Sequence, residues 1–295
     1  MIESRSFAER LFDIINVMLI GTLSLVFIYP LYYCLMASFS EPANVLSNIG
    51  LYWRPLGFSL DGYKVVFNNP NIINGYINTT INLVIGTSFC MLMTTIGAYA
   101  LSRRNLYFKR IITFFVVFTM YFGGGLIPTY LVVKGVGLYN SRWALILPSA
   151  ISTWNLIVLK TGFQRVPLSL NESAVIDGAN DFTILFRIMI PVSKATIAVI
   201  TLFYAVSYWN SWFAASIYLR ERKLYPLQLV LREILISNTV ANTSGVIDAN
   251  MSESSLMGEL IRYCSIIVST VPILCIYPFV QKYFVKGIMM GSIKG

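Results

Sequence analysis

Six apolar segments, at about residues 12–39, 72–101, 110–133, 143–161, 195–219 and 262–281, constrain this chain more than any other feature. Each is long enough to cross a hydrocarbon core of about 30 Å as a helix. A soluble domain carries roughly a quarter charged residues, whereas here the share is 12%, with 56% hydrophobic residues and a mean hydropathy of +0.68. The expected fold is an all-α membrane protein, one transmembrane domain over residues 1–295. The first segment follows the polar start MIESRSFAER and has no small-residue cleavage site behind it, so it reads as a retained span.

Six spans place both termini on one side, and basic residues mark that side as cytoplasmic. The loop SRRNLYFKR carries Arg103, Arg104, Lys109 and Arg110, and the tail carries Lys282, Lys286 and Lys294. The connections 40–71 and 220–261, poor in positive charge for their length, then face outward. The net charge of +9 is scattered over span ends and forms no single patch, so it reads as a topology signal and not as a nucleic-acid surface.

Several function classes drop out early. Histidine is absent, which removes the commonest general base and metal ligand. Cys34, Cys90, Cys264 and Cys275 lie in apolar runs without CxxC spacing, so neither a disulfide framework nor a zinc site is expected. No acidic residue lies well inside a span, Asp13 and Glu259 being at edges. Intramembrane carboxylates commonly mark ion coupling, so a secondary transporter is the weaker alternative, as is a membrane-bound glycan or lipid enzyme. Uncharged polar residues do enter the spans. Asn78, Asn82, Asn155, Tyr204, Tyr208 and Asn210, interleaved with Trp209 and Trp212, are candidates for a sugar pathway, although hydrogen bonds that bridge helices are the commoner use of each such residue.

The stretch ESAVIDGANDFTILFRIMIP, residues 172–191, is acidic and sits between spans. Ser169 and Glu172 have capping-box spacing, which predicts a helix starting near Leu170. Gly178 stops it, and Asn180 or Asp181 caps a second short helix with Phe182, Leu185, Phe186 and Met189 on one side. Neither piece can span a bilayer. An interfacial helix is expected to be rich in Lys and Arg, but this stretch offers Glu172, Asp177 and Asp181 against Arg187, so a groove on a partner protein is the better fit.

These residues carry a resemblance. Glu172-Ser173-Ala174, Asp177-Gly178-Ala179, Phe186, Ile188 and Pro191 resemble the EAA motif of permease subunits of bacterial ABC importers. The runs GGGLIPTYLVVKGVGLYNSRWALILP, Tyr208-Trp209-Asn210, LYPLQ at 224–228 and the tail QKYFVKGIMMGSIKG extend the likeness over nearly the whole chain, toward the smaller permease subunit of maltose-type carbohydrate importers. Two positions depart from the common pattern: Ser173 replaces an alanine, and Ala195 stands where a second proline often occurs.

The resemblance implies the type I permease fold, with six transmembrane helices and a cytoplasmic coupling region at 169–191. It implies that Glu172, Ser173, Ala174, Asp177, Gly178, Ala179, Phe186 and Pro191 engage an ATPase. It also implies a second homologous permease, two ATPase subunits holding ATP and Mg, an extracytoplasmic sugar-binding protein and surrounding lipid, with no cofactor on this chain. No GxxxxGK[ST] loop occurs in the sequence, which agrees with hydrolysis on a partner. The glycines 123–125, with Pro128 beyond, predict a break in the third span, as a hinge or as tight packing.

Overall fold

A computed structural model describes residues 7–47, 50–243 and 249–292, and among them the secondary structure is helical with no strand. Three helices contain an uninterrupted stretch long and apolar enough to cross a membrane: α1 (Phe7–Ser38), α4 (Pro70–Ser102) and residues Met257–Pro278 of α15 (Ala249–Ser292). Three further candidates are bent pairs, which raises the number to as many as six if each pair is one span.

Two of these bends have a local chemical cause. α5 (Lys109–Tyr121) and α6 (Leu126–Gly135) meet at 113° across the three consecutive glycines, and Gly125 takes φ +85, a conformation open to glycine at little cost. Trp143–Ser149, which begins with α7 (Trp143–Ile146) and ends in a 3₁₀ turn containing Pro148, meets α8 (Thr153–Gln164) at 54°. The fifth predicted span also differs from a single rod. α12 (Lys194–Trp209) stops at Asn210, and α13 (Phe213–Tyr218) follows a short irregular stretch. The connections expected at 40–71 and 220–261 are largely helical. They hold α2 (Pro42–Ser47), α3 (Asp61–Asn68), α14 (Leu227–Thr243) and the start of α15.

The residues group into two compact units. One comprises the chain up to Asn69 together with Glu233–Pro272. There Gly62 on α3 lets the helix approach α15 so closely that an added Cβ would lie 2.7 Å from Cys264 Sγ and Leu260. Tyr63 joins Ser38 through their hydroxyls at 2.8 Å, and Tyr33 packs edge-on against Tyr52 and Tyr263.

The other unit comprises Pro70–Arg232 and the chain from Ile273 on. Its centre is α4 packed against α8 and α12. Apolar packing there is supplemented by polar fasteners, because a hydroxyl buried among helices needs a partner. Thr94 Oγ1 meets Tyr204 Oη at 2.7 Å, and the Ser152 amide donates to the same oxygen at 2.9 Å. Gly86 makes room for the Tyr208 ring, which a Cβ at Gly86 would overlap.

Candidate functional site

The acidic segment folds as two short helical pieces, with boundaries that partly correct the sequence expectation. α9 runs Leu168–Ile176 and is capped by Pro167, so it starts two residues before the predicted Leu170, and Ser169 makes no capping bond. The reason is backbone preorganisation: Pro167 has a fixed φ of −55, and the next residue can begin the helix without a capping box. The predicted stop is observed. Gly178 takes φ +80, its amide donates to Val175 O at 3.0 Å, and the Ala179 amide donates to Ala174 O at 2.9 Å, the paired bonds of a Schellman turn. Asn180 then caps α10 (Asp181–Ile184) by accepting from the Thr183 amide at 2.8 Å.

After α10 the backbone turns π-helical over Leu185–Met189 before α11 (Ile190–Val192). A π turn advances each residue by less than an α turn, so the predicted shared side of Phe182, Leu185, Phe186 and Met189 does not form. Ile184, Leu185 and Met189 are buried instead, with Ile188 packed partly beside them, while Phe182 and Phe186 are exposed. Ala174 is buried and Ala179 half-buried in the same core, against residues that include Tyr99, Leu101 and Phe163.

The opposite surface is free. Ile176 is 85% and Phe182 68% exposed, and Glu172, Ser173, Val175, Asp177, Phe186 and Pro191 are exposed as well. The side chains of Glu172 and Asp177 make no hydrogen bond or ion pair among the described residues. Exposed aliphatic and aromatic side chains with unpaired carboxylates between them suit an apolar groove rimmed by basic groups.

The inner side is fastened by residues that sequence reading left unassigned. Arg103, just past the end of α4, donates from Nη1 to Asn171 Oδ1 at 2.7 Å and lies 3.1 Å from Asp181 Oδ1 through Nη2. Tyr99 Oη donates to the same Asp181 oxygen at 2.9 Å, and the Arg103 guanidinium sits 5.4 Å from the Tyr99 ring centroid. A cavity of about 810 Å³ opens beside this clasp, lined by Arg104, Lys109, Gln164, Glu172 and Ile176 among others. The only sequence signal for the clasp was the basic run SRRN, which reads as a topology marker.

The six pathway candidates fall into different settings. Asn78, buried on α4, donates to Lys223 O at 2.7 Å and Tyr225 O at 3.0 Å and accepts from Arg142 at 2.6 Å. Asn82, one turn on, accepts from Arg142 at 3.3 Å. Tyr204 and Tyr208 are buried on α12 facing α4, Tyr208 Oη lying 3.2 Å from Cys90 Sγ. Asn155 is buried on α8, its backbone N–H donating to the capping Ser152 Oγ at 3.5 Å. Asn210 lies apart, exposed, and among the described residues its side chain bonds only to Val206 O in its own turn.

The turn that Asn78 grips is itself ordered by ions. Lys223 lies 2.6 Å from Glu221, and its hydrogen bond and charge, with a hydrogen bond from Asn140, hold the exposed Glu221 carboxyl below the usual range. Among the described residues no three His, Cys, Asp or Glu side chains gather as a metal-ligand group.

No family model matches the chain. Over 97% of its length it is 43% identical to the polygalacturonan/rhamnogalacturonan transport system permease protein YtcP of Bacillus subtilis (strain 168), 99% of which is covered. It also superposes with a TM-score of 0.85 and 30% identity on a bacterial ABC transporter involved in the import of the acidic polysaccharide alginate, over 95% of this chain and 99% of that one. The chain belongs to the carbohydrate-uptake permeases of ABC transporters. A second relative, the protein LplC of the same Bacillus strain, is 39% identical over 98% of this chain and 96% of its own. As an ABC permease subunit the chain is not itself an enzyme, and the ATPase of the transporter is a partner subunit. The all-helical architecture and its apolar helices are those of a membrane permease.

Proposed function

We propose that the chain forms half of the translocation pathway of a binding-protein-dependent importer for acidic oligosaccharides, fragments of uronate-containing polysaccharides. The near full-length likeness to YtcP, a polygalacturonan/rhamnogalacturonan transport system permease protein, carries the reading. The alginate importer supports it, because its cargo is also an acidic polysaccharide. In this reading the chain crosses a bacterial cytoplasmic membrane six times with both termini in the cytoplasm, each bent pair counting as one span. A second homologous permease completes the pathway. Two ATPase subunits bind ATP and Mg, and an extracytoplasmic binding protein delivers the sugar.

The exposed face of α9 and α10 is the coupling surface. Glu172, Ser173, Asp177, Phe186 and Pro191 meet the ATPase, while Ala174 and Ala179 seat the element on the spans and Gly178 sets the angle between its halves. Closure of the ATPases on ATP moves this element and alternates access through the spans. Of the pathway candidates, Asn210 is the one with free polar groups exposed, and we place it nearest the sugar.

The test is uptake of labelled oligogalacturonides, made by digestion of polygalacturonan, in cells with and without the gene, followed by mild-detergent purification of the chain. Gene-dependent uptake with a second permease and an ATPase in the eluate is the expected result. Uptake of neutral oligosaccharides alone would overturn the substrate class, and an eluate without ATPase activity would overturn the importer.

A further inference from the structure

The coupling element has two kinds of connection to the rest of its unit. Its covalent connections are poor levers. On one side the chain leaves α8 through the Arg165–Pro167 turn, and on the other the segment Asp181–Val192 meets α12 at 88° around Ser193. A push along α9 or α10 is absorbed by rotation at such a bend. The apolar packing of Ala174, Ile184, Leu185 and Met189 resists separation and compression, but the burial that drives it favours no one orientation.

The polar clasp is different. Separate nitrogens of one planar guanidinium reach α9, at Asn171, and α10, at Asp181, and Tyr99 within α4 donates to the same Asp181 oxygen. Charge-assisted bonds of this kind fix orientation as well as distance. Arg103 follows the last residue of α4 directly, so the clasp ties both halves of the coupling element to the end of the longest uninterrupted helix of its unit. Lys109 holds this junction from behind, donating to Arg103 O at 2.8 Å and Ser102 O at 3.3 Å. Higher along α4, Thr94 grips Tyr204 of α12, and at the far end Asn78 grips the 223–225 turn. A displacement delivered at Arg103 therefore meets a helix fastened along its length.

From this geometry we infer that Arg103, Asp181 and Tyr99 form the relay that carries movement of the coupling element into α4. They are positioning residues, and the inference rests on the docking reading given above. Without the clasp the element still docks on its exposed face, but its motion is dissipated at the two bends.

The experiment uses the complete transporter purified from its host, with hydrogen exchange followed in residues 96–103 and in residues 168–184, before and after trapping with ATP and vanadate. In the wild type both segments change protection. In Arg103→Ala the change in 168–184 persists, while that in 96–103 is reduced about tenfold, within the usual range of site-to-site coupling. Tyr99→Phe, which removes one bond and keeps the packed ring, gives a smaller loss in the same direction. The exchanged pair Arg103→Asp with Asp181→Arg, which rebuilds the ion pair without the Asn171 and Tyr99 bonds, restores part of the response relative to Arg103→Ala. Equal responses at 96–103 in Arg103→Ala and wild type would overturn the relay, as would failure of the exchanged pair in a complex that still assembles. A wild type without any response at 168–184 would instead fall on the docking reading, and the relay would go with it.

Discussion

Asn78 shows how little of a polar residue's role is visible from its type. An asparagine inside an apolar span can serve a sugar or fasten a helix, and only its partners decide. Both amide hydrogens go to backbone carbonyls at Lys223 and Tyr225, and its oxygen takes a guanidinium hydrogen from Arg142. Replacing Asn78 with Ala leaves the Lys223 and Tyr225 carbonyls without this donor and takes from Arg142 the shorter of its two asparagine bonds, at a cost of about 1–3 kcal/mol for a polar group left unsatisfied. Asn210 makes one bond within its own turn and faces outward. The two alanine variants should therefore separate: Asn78→Ala lowers the thermal midpoint of the purified complex and leaves the KM for uptake unchanged, whereas Asn210→Ala changes KM and leaves the midpoint alone. The reverse pattern would move Asn78 into the pathway. Sequence could not make this separation, because the partners lie 145 and 147 residues away.

Among the elements, legibility follows the range of the forces involved. The stop at Gly178 and the cap at Asn180 are fixed within a few residues and were readable. The capping box lost to Pro167, a local competitor two residues before Ser169. The π turn at Leu185–Met189 was not readable, since it follows from seating Ile184, Leu185 and Met189 in a core built by α4 and α8. For the clasp the sequence offered only the basic run SRRN, with nothing to name its partners, Arg103 and Asn171 being 68 residues apart. Gly178 tests the local part. A Cβ there meets nothing within 4 Å, so any penalty comes from the backbone at φ +80 alone. Gly178→Ala should cost about 1–2 kcal/mol locally and retain most uptake. Gly178→Val, β-branched and still less suited to that region, should lose co-purifying ATPase while the circular dichroism of the spans stays unchanged. Full ATPase recovery with the valine variant would show that the angle between α9 and α10 is not what the partner reads.

Across the whole chain, the composition announced a membrane protein, but not which surfaces stay uncovered. α1 is the extreme case. Its best apolar window is 0% buried, and among its 32 residues burial is confined to Ala37 and Ser38 at the end. Phe27, 74% exposed, has no core of its own chain to lose. Within this chain the helix is therefore held by little packing of its own, and substitutions on it should obey membrane energetics and not packing energetics. A buried phenylalanine truncated to alanine costs about 3–5 kcal/mol, but Phe27→Ala should shift the thermal midpoint by no more than an ordinary surface change, within about 0.5 kcal/mol. Phe27→Lys, which places a charge in the apolar segment, should cost about 2.5–3.5 kcal/mol of insertion free energy and release part of the chain on alkaline extraction of membranes. A large loss of stability with Phe27→Ala would mean that a specific partner surface packs on α1 at this point. In that case crosslinking from Phe27→Cys to the second permease would identify the surface directly.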